Sequence, residues 1–578
     1  MRHLARLWPY IRRYRSAYLS GIAMVLLGSA FGTASPFLIK AAVDGLEAGT
    51  AASLGWLVGA LAMLGAAKAL VFFRGRYSIV SASREVERDL REDFYRKLTR
   101  LDVSFFDRHS SGDIHSRAVN DMESVRMVAG ISVMITAGSS LLLLLSLAAM
   151  FAIDAGLAAA AMVPLLLVCA VTALSEGRIY AQSERVQDIL AELSTLAQEN
   201  FSGARVVRAF ARETTELRRF SYSSRSYLKA SLALALTRGA AWGLMVLLME
   251  ATLGVTLLLG GLGIIRGTLS KGDFVAFTAY QFMLVWPVIG MGWVVTLVQR
   301  GAACMARINA VLDAPEEEHG AKPCVLRGCR IEFRDLTFRY SEDRPPALSG
   351  VSFTLEPGER AAVVGRTGSG KSTLLQLLLG LYRPPAGTVF LDGRDINDIP
   401  RAALRAAMAC APQDAFLFSD TLLSNIAFGA EGEASREAVL AAAEASRLSE
   451  DLDAFPGGID QVIGERGITL SGGQRQRTSL ARALLRKPPL LLLDDTLSSV
   501  DVHTEAAILQ RLDPHLEGRT CILVTHRFSS LAKARRILVL DEGRLVEDGT
   551  HDALLASKGF YARLAARQRL EEDLSSAS

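Results

Sequence analysis

Six stretches in the first 300 residues are long and apolar enough to leave water altogether, at 18–39, 52–73, 128–152, 157–174, 240–265 and 274–298. About 20 apolar residues wound as helix cross a hydrocarbon core. Inside lipid each backbone N–H and C=O must find its partner within the segment, so these stretches are confined to helices. The run at 141–150, rich in Leu, carries no charge. Buried helices of a soluble core are also apolar, but six in series, broken by two long charged connections, do not fit such a core. Half of the 578 residues are hydrophobic, and mean hydropathy is +0.26. The Arg-rich N-terminus and the length of the first apolar stretch do not fit a secretory signal.

The bases set an orientation. Arg2, Arg6, Arg12, Arg13 and Arg15 precede the first span. Arg84, Arg88, Arg91, Arg96, Lys97 and Arg100 follow the second, and Arg178, Arg185, Arg205, Arg208 and Arg212 follow the fourth. The short turns carry few, with Arg266 and Lys271 a mild exception. The positive-inside bias therefore puts the N-terminus, both long connections and the C-terminal half in the cytoplasm. Residues 74–100 and 179–194 read as charged helical extensions of spans two and four, each ending in a compact, turn-prone segment. Hairpins of that reach must dock on something, and the C-terminal half is the natural partner.

Glu250 and Lys68 fall inside spans. Ionisable groups at that depth face a cavity or a partner. Here a substrate or ion contact and an interhelical polar pair are equally compatible. Trp242, Met245, Met249, Phe282, Met283 and Trp286 are compatible with greasy ligands, but helix and lipid packing explains them more simply. Net charge is only +4, which gives no sign of a nucleic-acid partner. The six cysteines are scattered without a zinc pattern and read as reduced, structural thiols.

The second half is of another kind. Pro/Gly and acidic residues mark 315–330 as a linker, after which strands, glycine turns and amphipathic helices alternate. Gly365, Arg366, Thr367, Gly368, Ser369, Gly370, Lys371, Ser372 and Thr373 stand between a buried strand and an apolar helix. A glycine-rich loop before a helix leaves its N–H groups free to cradle phosphates. Lys371 can reach the β- and γ-phosphates, and the Ser372 hydroxyl can ligate Mg²⁺. Downstream, a buried strand delivers Asp494 at its end, a carboxylate that supports Mg²⁺ in such proteins. Between them Ser471, Gly472, Gly473 and Gln474 open another helix and form a second anion-binding nest. A nest that cannot easily fold onto its own chain's phosphate loop points to a two-fold dimer.

This combination resembles the exporter-type half-transporters of the ATP-binding cassette (ABC) superfamily, and the resemblance covers nearly the whole chain. It implies an α-helical membrane domain at 1–314, a linker at 315–330 and an α/β P-loop nucleotide-binding domain at 331–578. It also implies ATP and Mg²⁺ as cofactors and a multi-pass location in the cell membrane. By the same resemblance Tyr340 stacks on adenine, and Gln413 senses Mg²⁺ and the membrane hairpins. Gly464-Glu-Arg-Gly precedes the signature 470–474, Asp501 speaks across the dimer, and His526 contacts the γ-phosphate. The segments around Gly112 and Gly203 would be coupling helices. The cargo would be a drug, a lipid or a peptide.

One position departs from the pattern. The family usually has Glu after the Mg²⁺-associated Asp, whereas this chain has Asp495. That carboxylate acts as base or orienter for the attacking water. One methylene less withdraws it by about 1.5 Å, and a misplacement near 1 Å can cost on the order of 10²-fold in rate. Nucleotide binding should survive and hydrolysis should be slow. The pairing of an intact signature with a weak carboxylate resembles one subunit of a heterodimeric exporter. It favours a heterodimer over a slow homodimer or a regulatory, gating subunit with negligible turnover of its own.

Overall fold

The computed structural model describes residues 2–49, 54–317, 326, 328–464, 467, 470–500, 502–527, 531 and 534–567. The chain divides into two compact units, Met1–Thr99 with Ser111–Ala314, and Arg100–Ser110 with Pro315–Ser578.

The first unit is all helix. Its long members are α1 (Arg15–Glu47), α2 (Leu54–Leu98), α3 (Val133–Ile153), α4 (Ala155–Ser202), α5 (Glu213–Ile265) and α6 (Lys271–Leu312). Each of the six apolar stretches becomes one of them, and all six helices are long and apolar enough to cross a membrane. Their outward surface is greasy: Trp56 is 72% and Met63 is 74% exposed. At 1.5 Å per residue α2 is about 68 Å long, more than twice the ~30 Å hydrocarbon core, so it continues far into water. α4 continues as helix to Ser202, past the charged stretch at 179–194. The segments expected to be turn-prone are themselves short helices, Val103–Arg108, Ser111–Ser116 and Ala204–Ala209. Local caps explain part of this, since the Asp102 carboxylate accepts the Ser104 N–H at 2.8 Å.

Small residues let these helices approach closely. A Cβ on Gly75 of α2 would sit 2.9 Å from the Gly21 carbonyl of α1. α3, α4 and α6 share a core of Met150, Ala158, Ala161, Phe277, Tyr280 and Leu284. α6 opens with a capping box in which Ser270 and Asp273 satisfy each other's backbone. Asp44 of α1 accepts the Gly272 N–H at 2.9 Å, and Lys40 pairs with Asp273.

The second unit carries two sheets. Its strands are β1 (Ile331–Phe338), β2 (Leu348–Leu355), β3 (Arg360–Gly365), β4 (Val389–Leu391), β5 (Arg394–Asp395), β6 (Met408–Ala411), β7 (Leu490–Asp494), β8 (Thr520–Val524), β9 (Arg536–Asp541) and β10 (Arg544–Gly549). β2-β1-β4-β5 form an antiparallel sheet, and β10-β9-β3-β8-β7-β6 form a mostly parallel one. β3 and β7 are buried along their length because helices cover a parallel sheet on both faces. Three helices matter for the site: α7 (Lys371–Leu378), α8 (Gly472–Leu485) and α9 (Val502–Leu516). The short helix Val103–Arg108 belongs to this unit, where the Tyr382 hydroxyl donates to Asp107 at 2.5 Å. Beside it Glu317 pairs with Arg405.

Candidate nucleotide-binding site

Strand β3 runs straight into the glycine loop, and α7 starts at its far end. Two glycines are there of necessity. A Cβ on Gly365 would collide with the Leu540 carbonyl, and one on Gly370, at φ +98°, would lie 2.6 Å from the Ala347 carbonyl. The loop thus bends tightly and feeds its N–H groups into a helix N-terminus. Lys371 is 6% exposed and folds back over the loop, donating to the Gly365 carbonyl at 2.9 Å and the Arg366 carbonyl at 2.8 Å. Ser369 lies beneath the same ammonium at 3.5 Å. Arg366 covers the ring of Phe560, and Thr367 and Gly368 are exposed.

β7 delivers Asp494 and the chain turns at once. Asp495 has φ +44°, a left-handed conformation that Asp tolerates better than most residues. Its N–H donates to the Val524 carbonyl at 2.9 Å, which ties the turn to β8. Asp494 and Asp495 are each 9% exposed. Burial raises the Asp494 carboxyl above its usual range, opposed by a hydrogen bond from the Ser372 hydroxyl. Desolvation lowers the Lys371 ammonium, with Asp495 and Asp494 pulling the other way. Desolvation and then Lys371 also hold His526 below its ordinary value, so it stays neutral at pH 7. Lys371, Ser372, Asp494, Asp495 and His526 therefore share one electrostatic corner.

Tyr340 stands beside it. Its hydroxyl donates to Gln376 Oε1 at 2.7 Å and hydrogen-bonds Thr373 Oγ1 at 2.9 Å, both on α7. Its ring meets Tyr382 edge-on at 4.9 Å and Phe338 at 5.2 Å. Half-exposed and anchored at both ends, it is a ready stacking surface.

Gln413 follows β6, two residues past its end at Ala411. Its side chain makes no hydrogen bond among the described residues, and it lines a cleft of about 370 Å³ with Gly472, Arg475, Gln476 and Ser499. The signature residues stand on the same side. Ser471 caps α8 by accepting the Gln474 N–H at 3.2 Å, and Gln474 returns the bond to the Ser471 N–H at 3.0 Å. Among the described residues no hydrogen bond links 471–474 to the glycine loop. Asp501, and Glu465 and Arg466 of the preceding motif, lie outside the described residues.

Two groups escaped sequence reading. Gln476 on α8 accepts the Ser499 N–H at 2.9 Å and donates to Ser498 Oγ at 2.9 Å. Arg527, next to His526, donates to the Val500 carbonyl at 2.6 Å and the Ser498 carbonyl at 2.9 Å, and pairs with Glu505 of α9 at 2.5 Å. Together they clamp 498–500, the turn that follows Asp495. The bare residue types gave no signal for either.

The donor set fits Mg²⁺, since a hydroxyl and a buried carboxylate already touching each other are hard oxygen ligands. The loop, the lysine, the strand-end acid and the anchored aromatic ring together define a nucleoside-triphosphate site on a chain with six membrane-competent helices. Comparison with known proteins agrees. The ABC transporter transmembrane region matches residues 18–288, and the ABC transporter domain matches 348–498. The chain is 32% identical to the probable multidrug resistance ABC transporter ATP-binding/permease protein YheI of Bacillus subtilis, over 98% of both chains. It is 35% identical to the ATP-dependent lipid A-core flippase of Pseudomonas aeruginosa, over 97% of this chain and 95% of that one. Its fold matches a bacterial Atm1-family ABC exporter solved with ATP bound, with TM-score 0.82, 30% identity, and 96% and 98% of the two chains covered.

The chain belongs to the ABC transporter family. It is an ATP-binding, ATP-hydrolysing exporter and a multi-pass membrane protein.

Proposed function

We propose that this chain is one half of a dimeric exporter whose own hydrolytic site is slow, and that it works beside a second, competent half. The observation that carries this is the corner around Lys371. The phosphate-binding parts are complete, while the acid after Asp494 is Asp495 rather than the longer Glu. Lys371, the loop N–H groups and Tyr340 hold the nucleotide. Ser372 and Asp494 hold Mg²⁺, which neutralises phosphate charge when bound. Asp495 orients the attacking water from too far back, and neutral His526 donates to the γ-phosphate.

The nest at Ser471–Gln474 then serves the partner's nucleotide, a reading supported by the absence, among the described residues, of any hydrogen bond from it to its own loop. ATP binds the closed pair of nucleotide units more tightly than the open pair, and that difference drives the membrane helices. The nucleotide unit and N-terminus lie in the cytoplasm, and the cargo is hydrophobic or amphipathic.

Steady-state ATPase measurement of the lone chain, and of the chain with its candidate partner, tests this. A low rate that rises on adding the partner supports the proposal. Brisk turnover by the lone chain contradicts it.

A further inference from the structure

Glu250 lies on α5 fifteen residues before its end at Ile265, and Gln281 lies on α6 ten residues after its start at Lys271. At 1.5 Å per residue these are about 22 and 15 Å from those ends, near the middle of a ~30 Å core. Both line one cavity of about 50 Å³, with Met162, Met249, Thr252 and Phe282.

A carboxylate at that depth is costly without a cation. Among the described residues none pairs with Glu250. The nearest bases on its own helix, Arg238 and Arg266, are about 18 and 24 Å away along the axis. Lys68 packs against Gly32 and does not line the cavity. Thr252 spends its hydroxyl on the Leu248 carbonyl at 2.8 Å. The Thr256 hydroxyl donates to the Gln281 amide oxygen at 2.7 Å, which leaves only the NH₂ donors of that amide uncommitted and Glu250 as the one anionic acceptor among the lining side chains.

We propose that Glu250 is a binding site for the ammonium head of a lipophilic amine. This rests on the exporter reading above and names the cargo's charge. A cavity of this size has room for an ammonium head. A hard metal ion needs several oxygen ligands. The thioether and aromatic lining instead suits an alkyl chain and a cation beside a ring.

The test is equilibrium binding of radiolabelled octylammonium, with neutral octanol as control, to the nucleotide-free full chain in nanodiscs, corrected for empty nanodiscs. Wild type should prefer octylammonium. Glu250→Gln, nearly isosteric, should weaken octylammonium by about tenfold or more and leave octanol unchanged. Thermal unfolding and ATP binding of each variant check its fold. Equal affinity for octanol and octylammonium, or undiminished octylammonium binding by folded Glu250→Gln, would overturn the site. The latter result would assign the Glu250 counter-ion to a partner chain. Lys371→Ala should leave octylammonium binding intact, so failure of the ATP-driven reading and failure of this site are told apart.

Discussion

The corner at Lys371 and the helix start at Ser471 are both glycine-bearing helix N-termini, yet they are built in opposite ways. At the first, charge converges: a buried lysine, two buried acids and a histidine act on one another. At the second the nearby charges pair with each other: Gln474 Nε2 donates to Asp451 at 3.4 Å, and Asp451 pairs with Arg477 at 2.7 Å. Ser471 and Gln474 satisfy each other, and the N–H groups of Gly472 and Gly473 remain without an intrahelical partner. A Cβ on either glycine would press on Ser499, at 3.3 or 3.2 Å. One terminus is equipped to hold and cleave a triphosphate. In the proposed dimer the other would serve a nucleotide held by the partner.

Substitutions can separate the two. Lys371→Ala should hit hardest, lowering ATP turnover by about 10²-fold or more, because a charge aimed at the phosphates is removed from a water-poor corner. A loss under about threefold would mean the corner is not the hydrolytic site. Gln476→Leu breaks the clamp between the signature helix and 498–500. It should cost about three- to tenfold in turnover with nucleotide affinity of the folded chain little changed, a split that single-site binding and kinetics resolve. Ser471→Ala removes only a cap. Calorimetry should find about 1 kcal/mol of lost stability in the nucleotide unit, with wild-type ATP affinity in the isolated chain.

The smallest expected effect concerns pH. His526 titrates below 6.5 in the folded chain and near 6.5 unfolded. Its neutral form is the one the fold favours, so it costs no stability above that range. Stability is lost as pH falls through the unfolded value, since the unfolded state then binds the proton more readily. Unfolding of the nucleotide-free chain measured against pH should accordingly show a loss of stability on acidification that His526→Gln reduces, and an identical pH dependence in the two folded proteins would contradict a depressed His526.

Much of this was readable beforehand because its physics is local. Lipid permits only helix for the apolar runs, and the loop from Gly365 to Ser372 announces itself by spacing alone. What escaped is tertiary. Nothing in the bare sequence distinguishes Gln476 or Arg527 from other polar residues on an exposed face, since their meaning lies in the carbonyls and hydroxyls of 498–500 that folding brings to them. The left-handed turn at Asp495 depends on its bond to Val524, 29 residues onward in the chain. The cleft that Gln413 lines with Gly472 and Gln476 is likewise tertiary. The continuation of α4 past the charged stretch was hidden because 199–202 carry polar residues that suit a turn as well as a helix.

The slow-site claim meets its most direct test in one pair of rates. The turnover of the purified chain and of its Asp495→Glu variant should be compared in the same nanodiscs at saturating ATP. The account predicts a rise of about 10- to 100-fold with ATP affinity unchanged, because only the reach of the carboxylate is altered. Equal rates in two folded, ATP-binding proteins would contradict it.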